Sequence, residues 1–370
     1  MFDSQALNCY NFEDFHYPTH DPMPKKARTH TTASRKEQHV EILSRRDIRF
    51  RGKTTGLERL DFVHNALPEI DLAEVRTGTE FLGRKLALPF MVSCMTGGFA
   101  GALAINRGLA TVCEEKRIAM GVGSQRQALE DSQFHRTFRI VREVAPSIPV
   151  VGNIGAAEVA GLRDASPIQR LIEIIHADAF AVHLNAPQEF IQPEGNPKFR
   201  GVLEGIAMLV RSLSIPVIVK EIGAGLSADV VGRLLDAGVR WIDVAGAGGT
   251  SWTGVETLRR KDRTVGEHFW DWGIPTADAV RDAAMLRTQG HSFTLVASGG
   301  ITTGLEAAKC LALGADIAAA ARPMLSALHA KGVAGLREVI DAWAMELRGA
   351  MFLTGSRTLA DLRLAPLVRR

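Results

Sequence analysis

Ala179-Phe180-Ala181-Val182 runs directly into His183-Leu184-Asn185-Ala186-Pro187-Gln188-Glu189. Four apolar residues followed at once by an imidazole, two amides and a carboxylate read as a strand covered on both faces whose exit carries a polar cluster. Only past the buried run can such groups reach a ligand. A strand end dressed with ordinary loop polars reads the same way, so the neighbouring segments decide between the two.

The same unit recurs in both directions along the chain. Pro89-Phe90-Met91-Val92-Ser93 precedes Met95-Thr96-Gly97-Gly98, Ile118-Ala119-Met120-Gly121-Val122 precedes Gly123-Ser124-Gln125-Arg126, and Val150-Val151-Gly152 precedes Asn153-Ile154-Gly155. Beyond the opening stretch, Pro216-Val217-Ile218-Val219 leads to Lys220-Glu221, and Trp241-Ile242-Asp243-Val244 to Ala245-Gly246-Ala247-Gly248-Gly249-Thr250-Ser251. Thr294-Leu295-Val296-Ala297 then leads to Ser298-Gly299-Gly300, and Ile317-Ala318-Ala319-Ala320 to Ala321-Arg322. Amphipathic segments such as Leu226 to Ala237 and Gly304 to Leu313 fill the intervals. Apolar runs alternating with helical segments predict a parallel sheet, and about eight of them close it into a (β/α)8 TIM barrel of the α/β class. A doubly wound open sheet is the alternative, but it concentrates its glycines after the first strand.

Composition narrows the function classes. The chain has 370 residues, 46% of them hydrophobic, and a formal charge of +3. No apolar run approaches the roughly 18 residues that span a bilayer, and the charge is too small to argue for nucleic acid. The N-terminus shows no apolar export signal, and Cys9, Cys94, Cys113 and Cys310 have no metal-ligand spacing, so a reduced, cytoplasmic setting is expected. Residues 1–34, with Pro18, Pro22 and Pro24 and no apolar period, are expected to form a poorly ordered extension ahead of a barrel domain over 35–370. Leu60 to Leu82 mixes apolar anchors with Pro68 and acidic residues and reads as a packed lead-in rather than a strand.

Active sites in this fold sit where the strands end. Ser298-Gly299-Gly300-Ile301 opens a helix and Ala321-Arg322 follows the final strand, so backbone N–H groups and a helix N-terminus converge where barrels commonly hold a cofactor phosphate. A tight strand-to-helix turn is the plainer reading of the same glycines. Lys220 points a cation into the rim and is expected to contact Glu221 or the electron-rich atoms of a ligand. Arg35-Lys36-Glu37-Gln38-His39, if helical, puts Arg35 and His39 on one face; as a lone segment it reads as a solvated charged turn.

Taken with Phe62-Val63-His64-Asn65-Ala66-Leu67-Pro68-Glu69, Gln192-Pro193-Glu194-Gly195 and Asp271-Trp272-Gly273-Ile274-Pro275-Thr276, these segments resemble type 2 isopentenyl-diphosphate Δ-isomerases, in one order from about Arg35 to the end of the chain. The resemblance implies an FMN-dependent barrel that uses reduced flavin and Mg2+, with NADPH as reductant. Such enzymes interconvert isopentenyl and dimethylallyl diphosphate and assemble as homotetramers or homo-octamers. It further implies that Met95, Thr96, Gly97, Ser124, Asn153, Lys220 and Thr250 border the flavin, and that Gly299, Gly300, Ile301, Ala321 and Arg322 hold its phosphate. Arg35, Lys36, His39, Ser124, Arg126 and Gln188 are implied to bind substrate, Gln188 to act catalytically with His183 and Asn185, and Glu189 to ligate Mg2+. Ala186-Pro187 departs from the family's usual Pro-Leu, which puts the position of the Gln188 loop in question.

The chemistry of the residues agrees with these roles. A diphosphate is multiply anionic, and an Arg fork, a Lys and a carboxylate-held hard cation neutralise it. Moving a double bond protonates one carbon and deprotonates another, yet with Glu189 assigned to the metal the candidates around Gln188 include no obvious carboxylic acid of the kind that usually does such work, which favours a cofactor as the acid/base. Two rivals remain. FMN-dependent 2-hydroxy-acid oxidases share the fold, but they rely on His-Gly-x-Arg after the sixth strand, where this chain has Gly-Gly-Thr-Ser-Trp. A flavin-binding barrel without catalysis would be expected to lack Gln188, Glu189 or the Arg35-Lys36 pair, and all are present.

Overall fold

The computed structural model describes residues Thr32–Arg370. The expected extension therefore lies outside the described residues as far as Thr31, while Thr32 to Ser34 open helix α1 (Thr32–Arg45). All eight expected strands form: β1 (Phe90–Val92), β2 (Ala119–Gly121), β3 (Val150–Gly155), β4 (Ala179–His183), β5 (Val217–Lys220), β6 (Trp241–Asp243), β7 (Thr294–Ala297) and β8 (Ile317–Ala320). They pair in parallel and close into a barrel, with Ala319 of β8 opposite Met91 of β1.

Among the helices outside the strands are α2 (Ala186–Ile191), α3 (Ala228–Asp236), α4 (Trp252–Arg259), α5 (Gly304–Ala312) and α6 (Arg322–Leu353). Side-chain caps start α3, α4 and α5. Ser227 Oγ accepts from Val230 N at 3.3 Å at the head of α3, and Thr303 with Glu306 forms a reciprocal capping box on α5. The helical course of α6 breaks at Lys331-Gly332, where Gly332 takes φ +63°.

Inside the barrel, small and branched side chains alternate: Ala119, Ala179, Ala181, Ile218, Val296 and Ile317 pack together. The hairpin Thr79–Phe81/Arg84–Leu86 plugs the N-terminal end and turns at Leu82-Gly83, both at positive φ (53° and 73°). Phe81 is fully buried there, edge-on to Trp241 at 5.4 Å between ring centroids, and its burial contributes on the order of 2–3 kcal/mol.

The expected strand-free lead-in is thus corrected. Besides the hairpin, Leu60–Phe62 pairs antiparallel with Leu367–Arg369, some 300 positions away. Between α1 and that strand, Thr55 lies under the glycine loops: a Cβ on Gly248 would meet Thr55 N at 2.2 Å, and one on Gly300 would meet Thr55 Cγ2 at 2.5 Å.

Candidate active site

Strand register assembles the centre of the rim. Gly155 pairs with His183, His183 with Lys220, and Lys220 with Asp243, so one row crosses four neighbouring strands at their C-terminal ends. His183 Nδ1 lies 2.7 Å from Asn153 Oδ1. An amide oxygen only accepts, so Nδ1 carries the proton and Nε2 is the bare acceptor. Burial, then the charges of Lys220 and Lys36, push the His183 pKa down to about 3, which leaves a neutral imidazole.

Lys220 contacts Glu221 as expected, but through its backbone carbonyl rather than its carboxylate. Its Nζ donates to the backbone carbonyl of Glu221 at 2.5 Å and lies 3.5 Å from Asp243 Oδ2. The Glu221 carboxylate instead accepts N–H groups of its own loop, Ile222 at 2.6 Å and Gly223 at 2.5 Å. The charge of Lys220 still acts on the Glu221 carboxyl, but the ion pair it forms is with Asp243 on the next strand.

On the opposite side of the rim, α1 delivers cations. Lys36 Nζ donates to Gly97 O at 2.6 Å and to Ser124 O at 2.7 Å, bridging the loops after β1 and β2. Burial, with the nearby charge of Arg35, lowers its pKa to about 7. Arg126 is held by Glu130 at 3.0 Å and Glu158 at 2.9 Å. Glu158 in turn feels the charges of Arg126, Glu189 and Arg35, and burial raises its pKa. Arg35, Lys36 and Arg126 therefore share one neighbourhood with three carboxylates, Glu130, Glu158 and Glu189.

His39 joins a different group. Its Nε2 lies 2.9 Å from Glu256 Oε1, and its ring meets Trp252 edge-on at 5.3 Å. Glu256 also accepts from Gln188 Nε2 at 2.9 Å and from Arg259 Nη1 at 2.5 Å. Burial alone would raise the Glu256 pKa, but His39, Arg259 and Gln188 hold it down at about 2. Asn185 Nδ2 completes the chain, donating to Gln188 Oε1 at 3.1 Å and Glu189 Oε1 at 2.9 Å. Both ends of the Gln188 amide are thus fixed. Pro187 occupies the first turn of α2, where it costs no hydrogen bond, and Gln188 stays buried despite the Ala186-Pro187 departure.

Sequence reading missed Glu256, since a glutamate inside an amphipathic helix ordinarily faces water; its spacing from Arg259 was the one available signal. Gln192 joins the same group. With its amide turned to suit both neighbours, it donates to Glu256 Oε1 at 3.2 Å and accepts from Arg35 Nη1 at 2.9 Å.

The glycine loops behave as a phosphate cradle requires. Gly299 and Gly300 have φ +100° and +73°, and among the described residues the N–H groups of Gly299, Gly300 and Ile301 donate to no backbone carbonyl. Ala297 pairs with Ala318, so this loop lies beside Ala321 and Arg322 at the start of α6, whose first N–H groups have no intrahelical partner. Thr250 is tied to Arg49 by an antiparallel bridge. Three free N–H groups, a helix start and the buried Lys220 fit a flavin mononucleotide. For a metal the donor set is thinner: among the described residues no three His, Cys, Asp or Glu side chains gather. Glu189 would hold a divalent cation only together with oxygens of a ligand, the usual arrangement for Mg2+ on a phosphate substrate.

Comparison with known proteins agrees with this geometry. A family model described as FMN-dependent dehydrogenase matches residues 173–369. An isopentenyl-diphosphate delta-isomerase of Chlorobaculum parvum is 48% identical over 92% of this chain and 98% of its own length. One from Pelodictyon phaeoclathratiforme is 45% identical over 94% and 100%, and one from Methanothermobacter thermautotrophicus 43% identical over 91% and 93%. Among solved structures, a mandelate oxidase variant with an FMN adduct superposes with TM-score 0.62 at 21% identity over 86% of this chain and 90% of its own, a likeness of fold alone. An FMN-type barrel whose rim carries Arg35, Lys36, Gln188 and Glu189, and whose relatives match over nearly their whole length, belongs to the isopentenyl-diphosphate delta-isomerase family of enzymes.

Proposed function

We infer that the protein interconverts isopentenyl and dimethylallyl diphosphate, with FMN in its reduced form, Mg2+ bound through Glu189, and NADPH as a reductant. The observation that carries this reading is the hydrogen-bonded chain Asn185–Gln188–Glu256, set between the cations of α1 and the buried Lys220. Bound and reduced, FMN supplies an electron-rich face and an ionisable ring nitrogen beside the substrate.

The protein's own residues do the rest. Arg35, Lys36 and Arg126 grip the diphosphate, Arg126 exchanging Glu130 and Glu158 for phosphate oxygens. Glu189, oriented by Asn185 and by Asn196 N at 2.7 Å, would hold Mg2+, which would supply positive charge to neutralise the diphosphate. Gln188, fixed at both ends of its amide, positions the reacting carbons. The anionic Glu256 behind it favours a positive charge developing on the prenyl group. His183 stays neutral and orients Asn153. With His39 docked on Glu256, α1 shuts the mouth against water.

A 2-hydroxy-acid oxidase reading finds no His base or Arg clamp after β6, where Gly248-Gly249-Thr250-Ser251-Trp252 stands instead. The reading extends to a cytoplasmic homotetramer or homo-octamer. No described helix is long and apolar enough to cross a membrane. The test is anaerobic NMR of isopentenyl diphosphate in deuterated water with protein, FMN, a reductant and Mg2+. Appearance of dimethylallyl diphosphate with deuterium incorporation is expected; an untouched substrate with bound, reduced flavin would refute the reading.

A further inference from the structure

One buried carboxylate at the open end takes part neither in gripping diphosphate nor in the Gln188 chain. Asp243 ends β6 and is 2% exposed. Its Oδ1 accepts from Ser298 Oγ at 2.5 Å and from Ala245 N at 3.2 Å, while Oδ2 stands 3.5 Å from Lys220 Nζ. Ala245 sits at φ +39°, a left-handed conformation unfavourable for alanine, with its N–H bonded to that carboxylate. Three neighbouring elements, the ends of β5 and β6 and the loop after β7, thus converge on one charge.

The spacing is informative. A lysine stripped of solvent sheds its proton unless a counter-charge lies close. Of the other titratable groups around Lys220, the imidazole of His183 is neutral, burial pushes the Cys94 thiol up to about 11, and the Glu221 carboxyl, on which the Lys220 charge also acts, is bound by backbone N–H groups while burial raises its pKa to about 7. Among the described residues, Asp243 is the carboxylate within ion-pair distance of Lys220 Nζ. Yet Oδ1 is already bonded to Ser298 and Ala245, so the carboxylate is restrained from closing on Lys220. The ammonium is paired for charge but bonded only to Glu221 O, which leaves N–H groups for the electron-rich edge of a bound ring.

We propose that Asp243 is a positioning residue that holds the Lys220 side chain facing the flavin, and so sets how readily bound FMN is held in its reduced form. Ser298 links this pair to the glycine loop read as the phosphate cradle. The proposal rests on the flavin placement given under Proposed function.

The experiment loads wild type, Asp243→Asn, Lys220→Met and the double variant with FMN at neutral pH and measures the midpoint potential by dye-equilibrated reduction. Asp243→Asn is expected to disfavour the reduced flavin about tenfold, roughly 30 mV for a two-electron couple. Lys220→Met is expected to lower the potential at least as far, and adding Asp243→Asn to it to lower the potential no further. An unchanged or raised potential in Asp243→Asn, or the same drop in both backgrounds, overturns the proposal. Lys220→Met that binds FMN without any shift shows instead that the flavin placement is wrong. If Asp243→Asn does not fold, Ser298→Ala carries the test: it frees the carboxylate to close on Lys220, an expected drop of about threefold in the same equilibrium, and no drop refutes the coupling.

Discussion

The two ends of this barrel are made of opposite materials. At the N-terminal end the interior is stopped by hydrocarbon, with Phe81 and Leu86 seated among alanines and against Trp241. At the C-terminal end a layer of buried polar groups, Asn153, Asn185, Gln188, Lys220, Asp243 and Glu256, takes the same place. Each of those groups costs free energy unless partnered. The contrast separates labour: one end contributes stability without chemistry, and the other commits buried polarity to a site.

That separation can be broken by experiment. The largest effect is expected at the open end, where Glu256→Gln keeps the shape but removes the anion behind Gln188. Turnover should fall about 10²–10³-fold while the melting temperature moves by only a few degrees. Unfolding in step with the lost activity would mean that Glu256 is structural. Phe81→Ala is the mirror experiment, expected to cost about 3–5 kcal/mol of stability with kcat of the folded fraction unchanged, as denaturant melts and assays would show.

Glu189→Gln should weaken diphosphate and Mg2+ binding about 10–100-fold and leave FMN affinity alone; equal loss of both by titration would assign Glu189 to the scaffold. The smallest effect concerns Lys36. Its pKa near 7 leaves it mostly neutral at pH 8, and a bound diphosphate favours the ammonium, so the folded-state pKa rises and binding takes up a proton. Calorimetry with inorganic pyrophosphate in buffers of differing ionisation enthalpy should show that uptake in wild type and less of it in Lys36→Met, with affinity lower by about tenfold.

What could be read in the chain follows the same division. The strands announce themselves because each is a short apolar run ending in glycine or polar residues, and all eight form where expected. The hairpin was hidden because its strands are three residues each and its turn residue Leu82, at φ 53°, is one that turns rarely use. The pairing of Leu60–Phe62 was hidden because its partner lies at the far end of the chain. At the site, residues on strand exits were legible one by one, but their partnerships were not. The expected contact of Lys220 with Glu221 forms through the backbone carbonyl, while the second partner, Asp243, is placed opposite Lys220 by strand register and has no signal in the sequence. Glu256 was silent for a related reason, since only the docking of α4 against α2 buries it.

The strand Leu367–Arg369 has one more implication. It clasps Leu60–Phe62, with Arg370 N donating to Arg59 O at 2.9 Å and Val63 N to Pro366 O at 3.1 Å, and the segment just upstream wedges Thr55 beneath Gly248 and Gly300. Trimming the last four residues, or fusing a bulky tag onto them, would therefore loosen a latch whose slack is felt across the molecule in cofactor retention.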